Sequence, residues 1–444
     1  MMFKQTVVSW SVASALLVMA GSAAASGFAL IEQSGSGLGN AFAGGAASAE
    51  DASTIFYNPA GMSRLSGKQI AVAGSMIGPS AQFSGTATGL TPLQVAGTGA
   101  GGDAGSWALV PNAYFTMEVN PKMHFGLGIN APFGLQTQYD ANWMGRFQAI
   151  KSKLQTIDLN PSVSYQVSDA VSIGAGVNYQ RITGELSSVT NYSAAAFSVG
   201  GAPLLGAIGG AGKEGISTLT GNDSAWGYNF GALFNLSPQT RVGVAYRSRI
   251  KYNLSGNVSF TSVPPVLAAA LANQPVTLAI TMPDTFSVSG FHQLDDKWDL
   301  MADATWTGWS VFQQLNVLKT NGTSLSAPTP ENWKDTWRVS AGATYHYNSE
   351  WLARTGVAFD QAPVSDPFRT VRIPDANRTW LSLGGQYKPS KESALDFGYA
   401  HLFVSNAPLN QSAAANPDLA GKGYLVGNYN NSVDILSVQY AHSY

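Results

Sequence analysis

The residues that could do chemistry are few, and they point to recognition rather than turnover. The 444-residue sequence has five histidines and no cysteine. His124, His292, His346, His401 and His442 are scattered. None stands at a metal-ligand spacing, and no serine sits in a G-x-S-x-G setting. No catalytic residue, metal site or cofactor is therefore expected. Arg181, Lys319, Arg369, Arg372 and Arg378 can each hold a carboxylate through charge-assisted hydrogen bonds. Arg338, Arg354 and Arg378 stand on polar-facing positions, where their alternative role is to hydrate an interior.

Two proline motifs restrict the backbone. Asn58-Pro59-Ala60 reads as a tight turn, because proline fixes φ and Asn-Pro favours turn initiation. The Asn58 amide can donate and accept, so it can bond a frayed strand and release it, or merely close a turn. Pro132 lies with Phe133 and Gly134 inside the strand-like run "HFGLGINAPFGLQTQY". Proline cannot donate to a ladder, so a proline within a closed sheet marks a bulge, an opening or a strand end. Pro161, in "IDLNPSVSY" on the next strand, is expected to weaken the same seam.

These residues must be positioned by strands. Only 11% of residues are charged, against about 25% in a typical soluble domain. In Val171–Gln180, Val171, Ile173, Ala175, Val177 and Tyr179 alternate with Ser172, Gly174, Gly176, Asn178 and Gln180. Trp226–Asn235 and Trp337–Tyr347 repeat the pattern, with aromatic residues recurring near strand ends. Short polar turns at 120–122, 168–169, 237–239, 295–297, 348–350 and 389–391 alternate with long connections near 85–105, 139–150, 188–224, 260–276, 319–334, 362–376 and 405–431. Six short and seven long connections join fourteen strands, an even number, as single-chain outer-membrane barrels have.

The expected fold is all-β: a 14-stranded antiparallel transmembrane β-barrel plugged by an N-terminal hatch. Residues 1–25, with Lys4, an apolar run and an Ala23-x-Ala25 site, read as a signal peptide rather than a membrane anchor. Residues 26–68 are too poor in charge for a free tail and form the hatch; residues 69–444 form the barrel. Two loop stretches, Ala194–Ala211 and Val263–Ala272, are apolar. Phe197, Leu204, Leu205, Val266, Leu267 and Leu271 are the candidates there for capturing an apolar ligand; a lid packed on itself is the alternative.

The N-terminal "SGFALIEQSGSGLGNAFAGGAASAEDASTIFYNPAGM", together with "IPDANRTWLS" inside a longer C-terminal match, resembles the FadL family of outer-membrane transporters. The resemblance implies passive uptake of long-chain fatty acids or other hydrophobic compounds, captured at external loops. Release would be sideways, through a wall gap at a kinked third strand, with the Asn58 turn lying against that kink. The implied partners are a hydrophobic small molecule and outer-membrane lipid, with no nucleic acid; the chain is expected to act as a monomer. Fatty-acid members use basic lumenal residues, whereas Glu185 stands near where one would be expected. An aromatic or alkane hydrocarbon is therefore the alternative substrate, and a general diffusion porin the more distant one.

Overall fold

A computed structural model describes residues 27–444; the signal-peptide expectation for residues 1–25 lies outside them. Fourteen antiparallel strands make the wall. They are β1 (Lys68–Thr88), β2 (Ala108–Asn120), β3 (Met123–Asn130, resuming as Gly134–Gln138), β4 (Lys151–Gln166), β5 (Val171–Asn191), β6 (Glu214–Asn235) and β7 (Thr240–Arg247, resuming as Ile250–Phe260). There follow β8 (Gln274–Met282, resuming as Thr285–Gln293), β9 (Trp298–Thr307, with an outlying Val317–Lys319), β10 (Thr336–His346), β11 (Trp351–Asp360), β12 (Arg378–Tyr387), β13 (Ser393–Val404, resuming as Ala407–Asn410) and β14 (Tyr424–Ser443). Pairing of β1 with β14, from Gln69↔Ser443 to Thr88↔Tyr424, closes the sheet and removes its edges.

The alternation read from the sequence is inverted relative to a soluble protein. On β10, Trp337 and Val339 are about half exposed, while Arg338 and Ser340 between them are buried. On β5, Val177 and Tyr179 face out and Asn178 and Gln180 face in. Apolar side chains outward and polar ones inward suit a barrel whose outside is lipid.

The short turns are held by their own side chains. Asp295 accepts the N–H groups of Lys297 and Trp298 at 2.8 and 2.9 Å, and Asn348 those of Glu350 and Trp351 at 2.9 and 2.7 Å. The long connections are shorter than expected where strands overshoot the membrane. β5 has 21 residues, roughly twice the 9–11 that span a bilayer, and it stays paired with β6 up to Asn191↔Glu214. Helix α1 (Tyr192–Ala207) caps that hairpin.

Residues 27–67 precede the wall and pack against its inner face. Their small residues let backbone meet backbone: a methyl group added at Gly39 would lie 2.9 Å from Gly384 Cα on β12. Inward-facing arginines hold the segment. Arg354 bridges Glu50 at 2.7 Å and Asp396 at 2.6 Å, Arg338 donates to the Ala41 carbonyl at 2.7 Å, and Arg241 donates to those of Ala47 and Ser48. Arg338 and Arg354 thus fasten this segment to the wall rather than simply hydrating a lumen.

Candidate functional site

β3 stops at Asn130 and resumes at Gly134. Exposure should alternate along a wall strand, yet every residue from Asn130 to Leu135 is buried. The segment has turned inward, off the wall. Its register against β4 shifts from Asn130↔Asp158 to Gly134↔Gln155, four steps matching three, which is a bulge. Pro132 has no N–H to give the ladder. Thr156 secures the next residue instead, accepting the Phe133 N–H on Oγ1 at 2.9 Å and donating its own N–H to the Phe133 carbonyl at 3.0 Å.

On the other side the wall is open. β2 pairs with β1 as far as Ile77↔Ala108, but with β3 only as far as Ala113↔Ile129. Ala108–Asn112 therefore have no β3 partner. The N-terminal segment fills the gap. Leu30 N–H donates to the Pro132 carbonyl at 2.8 Å, Gly134 N–H donates to the Phe28 carbonyl at 2.9 Å, and Ala29 bridges Phe133. Gln33 serves Ala131 both ways, with Nε2 donating to its carbonyl at 2.9 Å and Oε1 accepting its N–H at 3.3 Å. From β2, Asn112 Nδ2 donates to the Glu32 carbonyl and the Tyr114 hydroxyl to the Gln33 carbonyl. The start of the segment is tied down by Asp375, which accepts the Gly27 N–H at 2.7 Å and pairs with Arg378.

Three cavities lie among the external loops and along the inner face of the wall. An external one of about 480 Å3 is lined by loop residues including Phe147, Leu271, Lys319, Arg369 and Arg372. A deeper one of about 80 Å3 is lined mainly by apolar side chains such as Leu135, Leu254, Ile280 and Phe312, together with Glu331 and Arg372. A third, of about 130 Å3, is lined by Pro132 and Phe133 of the kink and by Tyr57 and Pro59.

Arg372 borders both the first and the second cavity. Its guanidinium donates to Lys151 O at 3.1 Å, Ser152 Oγ at 3.0 Å and Gln148 O at 2.8 Å. Among the described residues no carboxylate lies within ion-pair distance of it. Burial lowers its pKa to about 10, so it is charged at neutral pH. Glu331 accepts a hydrogen bond from Trp333 Nε1 at 3.0 Å. Burial raises its pKa to about 8, against the opposing pulls of that bond and of Arg372. At neutral pH Glu331 is mostly protonated and leaves the Arg372 charge uncompensated.

Residues 16–444 match the family model described as "Outer membrane protein transport protein (OMPP1/FadL/TodX)". The chain belongs to the OMPP1/FadL/TodX family. It is accordingly an outer-membrane protein of a transport family, not an enzyme. It is 30% identical over 441 residues to the long-chain fatty acid transport protein of Escherichia coli K12, covering 95% of this chain and 97% of that one. Outer membrane protein P1 of Haemophilus influenzae is 33% identical over 411 residues, 88% of each. The crystal structure of a Pseudomonas aeruginosa FadL homologue superposes with a TM-score of 0.84 at 28% identity, covering 94% of this chain and 99% of that one. The Ralstonia pickettii toluene transporter shares the fold at a TM-score of 0.64 and 21% identity, covering 92% and 99%.

Within this FadL-family barrel, the residues singled out by sequence fall into distinct places. Pro132, Phe133 and Gly134 form the kink. Asn58 does not touch it. Its amide donates to the carbonyls of Ala46 at 2.7 Å and Ala232 on β6 at 3.0 Å, and its Oδ1 accepts the Ala60 N–H at 3.0 Å. The turn packs on β5 and β6, against Gly174 and Gly231, and of its three residues only Pro59 shares a cavity with Pro132. The kink's partners, Phe28, Leu30 and Gln33, were missed; the alternation within "FALI" was their one signal.

Pro161 does not weaken the seam either. It pairs with Leu127, well along the strand from the kink, and Asn160 Nδ2 donates to the Val177 carbonyl at 3.0 Å in place of the missing N–H. Arg181 is on the outward parity of β5, exposed and bonded to Asn222 at 2.9 Å, so it cannot meet a lumenal carboxylate. Arg378 is engaged with Asp375, and Arg369 with Asp366 and the Pro408 carbonyl. Glu185 pairs with Lys151 at 2.9 Å and lines neither outer cavity. Of the loop candidates, only Leu271 lines the external cavity. Leu267 is buried against Tyr192 and Ala196 with Leu204 packed alongside, Leu205 is half-buried, and Phe197 and Val266 are exposed. These two loops largely pack on each other.

Proposed function

We propose that this barrel passively takes up long-chain fatty acids or similar hydrophobic molecules across the outer membrane. The ligand enters the loop-lined external cavity and moves to the deeper apolar one, where Arg372 takes its carboxylate. It then leaves sideways between β2 and the kinked β3. Residues 26–68 act as the hatch, and the strand-like Phe28–Leu30 is the gate that fills the gap. The observation that carries this reading is the pairing of Leu30 and Phe28 with Pro132 and Gly134 where β2 leaves β3 unpaired. A folded hatch inside the wall argues against an open diffusion pore, and the barrel works as a monomer whose partners are its ligand and lipid.

Arg372 favours an acid over a hydrocarbon. A guanidinium with no carboxylate partner of its own supplies the charge that a carboxylate needs and an alkane cannot use. Equilibrium binding of palmitate and of toluene to the purified protein tests the choice. Palmitate binding lost on Arg372→Gln supports the acid reading. Toluene bound and palmitate ignored would favour the hydrocarbon.

A further inference from the structure

The wall has a second break, between β6 and β7. Pairing between β6 and β7 descends to Asn222↔Ser255, stops, and resumes at Asn229↔Arg247. β6 stays fully paired with β5 through this stretch, so the interruption lies between β6 and β7 alone. Across the break β7 changes parity. Arg247 reaches inward to the Phe56 carbonyl, yet Ser248, Ile250, Tyr252 and Leu254 are the next buried residues. An extra residue at Arg247–Ser248 has thus pushed the two strands out of step.

Side chains replace the ladder at both ends of the slit. At one end Ser248 Oγ accepts the Tyr228 N–H at 2.9 Å while Ser248 N–H donates to the Tyr228 carbonyl at 2.9 Å. At the other, Asp223 Oδ2 accepts the Asn253 N–H at 2.7 Å. Between these clips Gly227 has no side chain, and a methyl group there would lie 2.8 Å from Ile250 Cγ1. Ile250 is therefore the plug behind the slit. The 130 Å3 cavity that borders Pro132 and Phe133 also borders Ser248 and Ile250. Outside, Trp226 and Tyr228 are exposed beside it.

We propose that the β6–β7 slit is a second lateral portal, through which an apolar chain passes between the inner cavity and the surrounding lipid. The proposal rests on the transport reading above. A hydrophobic ligand that reaches the kink cavity meets two exits, one gated by the Phe28–Leu30 strand and one by the Ile250 side chain.

The test uses palmitate carrying a chain-terminal diazirine, with uptake into cells and photolabelled peptides both read. Trp226→Cys and Lys251→Cys place two outward thiols across the slit in a chain with no cysteine of its own. A reducible bifunctional thiol reagent joins them, so the reduced protein is its own folding control. The portal predicts diazirine label on the outward-facing Trp226, Tyr228 or Lys251, which do not line the kink cavity, and a partial loss of uptake on crosslinking that reduction restores. With the kink gate also locked, by a disulfide between Ala29→Cys and Phe133→Cys, crosslinking the slit removes the remaining uptake. Label at the kink cavity with none at the slit, and uptake indifferent to the crosslink in both backgrounds, overturns the portal and leaves the transport reading standing. No saturable label anywhere, in protein that is folded, overturns both.

Discussion

Leu30 donates its N–H to the carbonyl of Pro132 at 2.8 Å, so a residue ahead of the barrel completes a ladder that the barrel's own second strand leaves open. A buried backbone group left without a partner costs about 1–3 kcal/mol, and the N-terminal segment supplies that partner to the inward-turned Pro132. The same contact closes the wall at the kink.

Gln33 should set how long the gate stays shut. Its amide makes both bonds to Ala131, and Gln33→Leu leaves that N–H and carbonyl bare at about 1–3 kcal/mol each. Hydrogen exchange across Phe28–Gln33 is expected to accelerate, with a higher ion leak through the barrel. Unchanged exchange there would mean that the Gln33 bonds do not hold the gate.

Arg372 should discriminate acids from alcohols. A hydrogen bond to a charged group contributes about 1.5–3 kcal/mol, so Arg372→Gln is expected to weaken palmitate binding roughly 10- to 150-fold. Hexadecanol has the same chain without the charge, and its affinity is expected to hold. An equal loss for both would show that Arg372 only packs the cavity.

Binding of a carboxylate should fall as pH rises past about 8. The pKa of Glu331 is raised to about 8 by burial, so it is mostly neutral below that pH and anionic above it. The anion would both neutralise Arg372 and repel the ligand, so protonation favours binding and the high-pH limb is the weak one. Glu331→Gln should remove the pH dependence between 7 and 9 while keeping the neutral-pH affinity. A profile that is the same in wild type and variant would exclude Glu331 from the site.

Asn58 should stabilise the hatch without controlling the exit. Asn58→Ala strips donors from the Ala46 and Ala232 carbonyls, at about 1–3 kcal/mol each. Exchange protection of Thr54–Met62 is expected to drop while the rate of uptake stays near wild type. A collapse of uptake with protection intact would return Asn58 to the gate.

The wall was legible in the sequence because a period of two is local. Alternation, turn residues and the short–long rhythm of connections each depend on a few neighbouring side chains, and together they yielded fourteen strands. Pro132 was legible for the same reason, since a proline breaks a ladder wherever it falls. Partners were not. Asn58 and Gln33 are both hatch amides, and nothing local says which of them reaches β3 and which reaches β6. Pro161 looked like a second flaw because the Asn160 repair is a cross-strand bond. Arg181 and Arg372 differ in parity and loop geometry, which a charge tally cannot see. The β6–β7 break has no proline and no unusual composition; it follows from one extra residue at Arg247–Ser248, visible only once the registers above and below are compared.

The central claim is that ligand leaves sideways at the kink when Phe28–Leu30 parts from Pro132–Gly134. Ala29 and Phe133 face each other in an antiparallel bridge, where Cα atoms lie about 4.5–5.5 Å apart and a disulfide fits. The direct measurement is palmitate uptake by cells carrying Ala29→Cys with Phe133→Cys, before and after oxidation, beside equilibrium palmitate binding to the same protein. The account predicts that oxidation removes most uptake, that reduction restores it, and that binding at Arg372 is unchanged throughout. Full uptake with the disulfide quantitatively formed would contradict it.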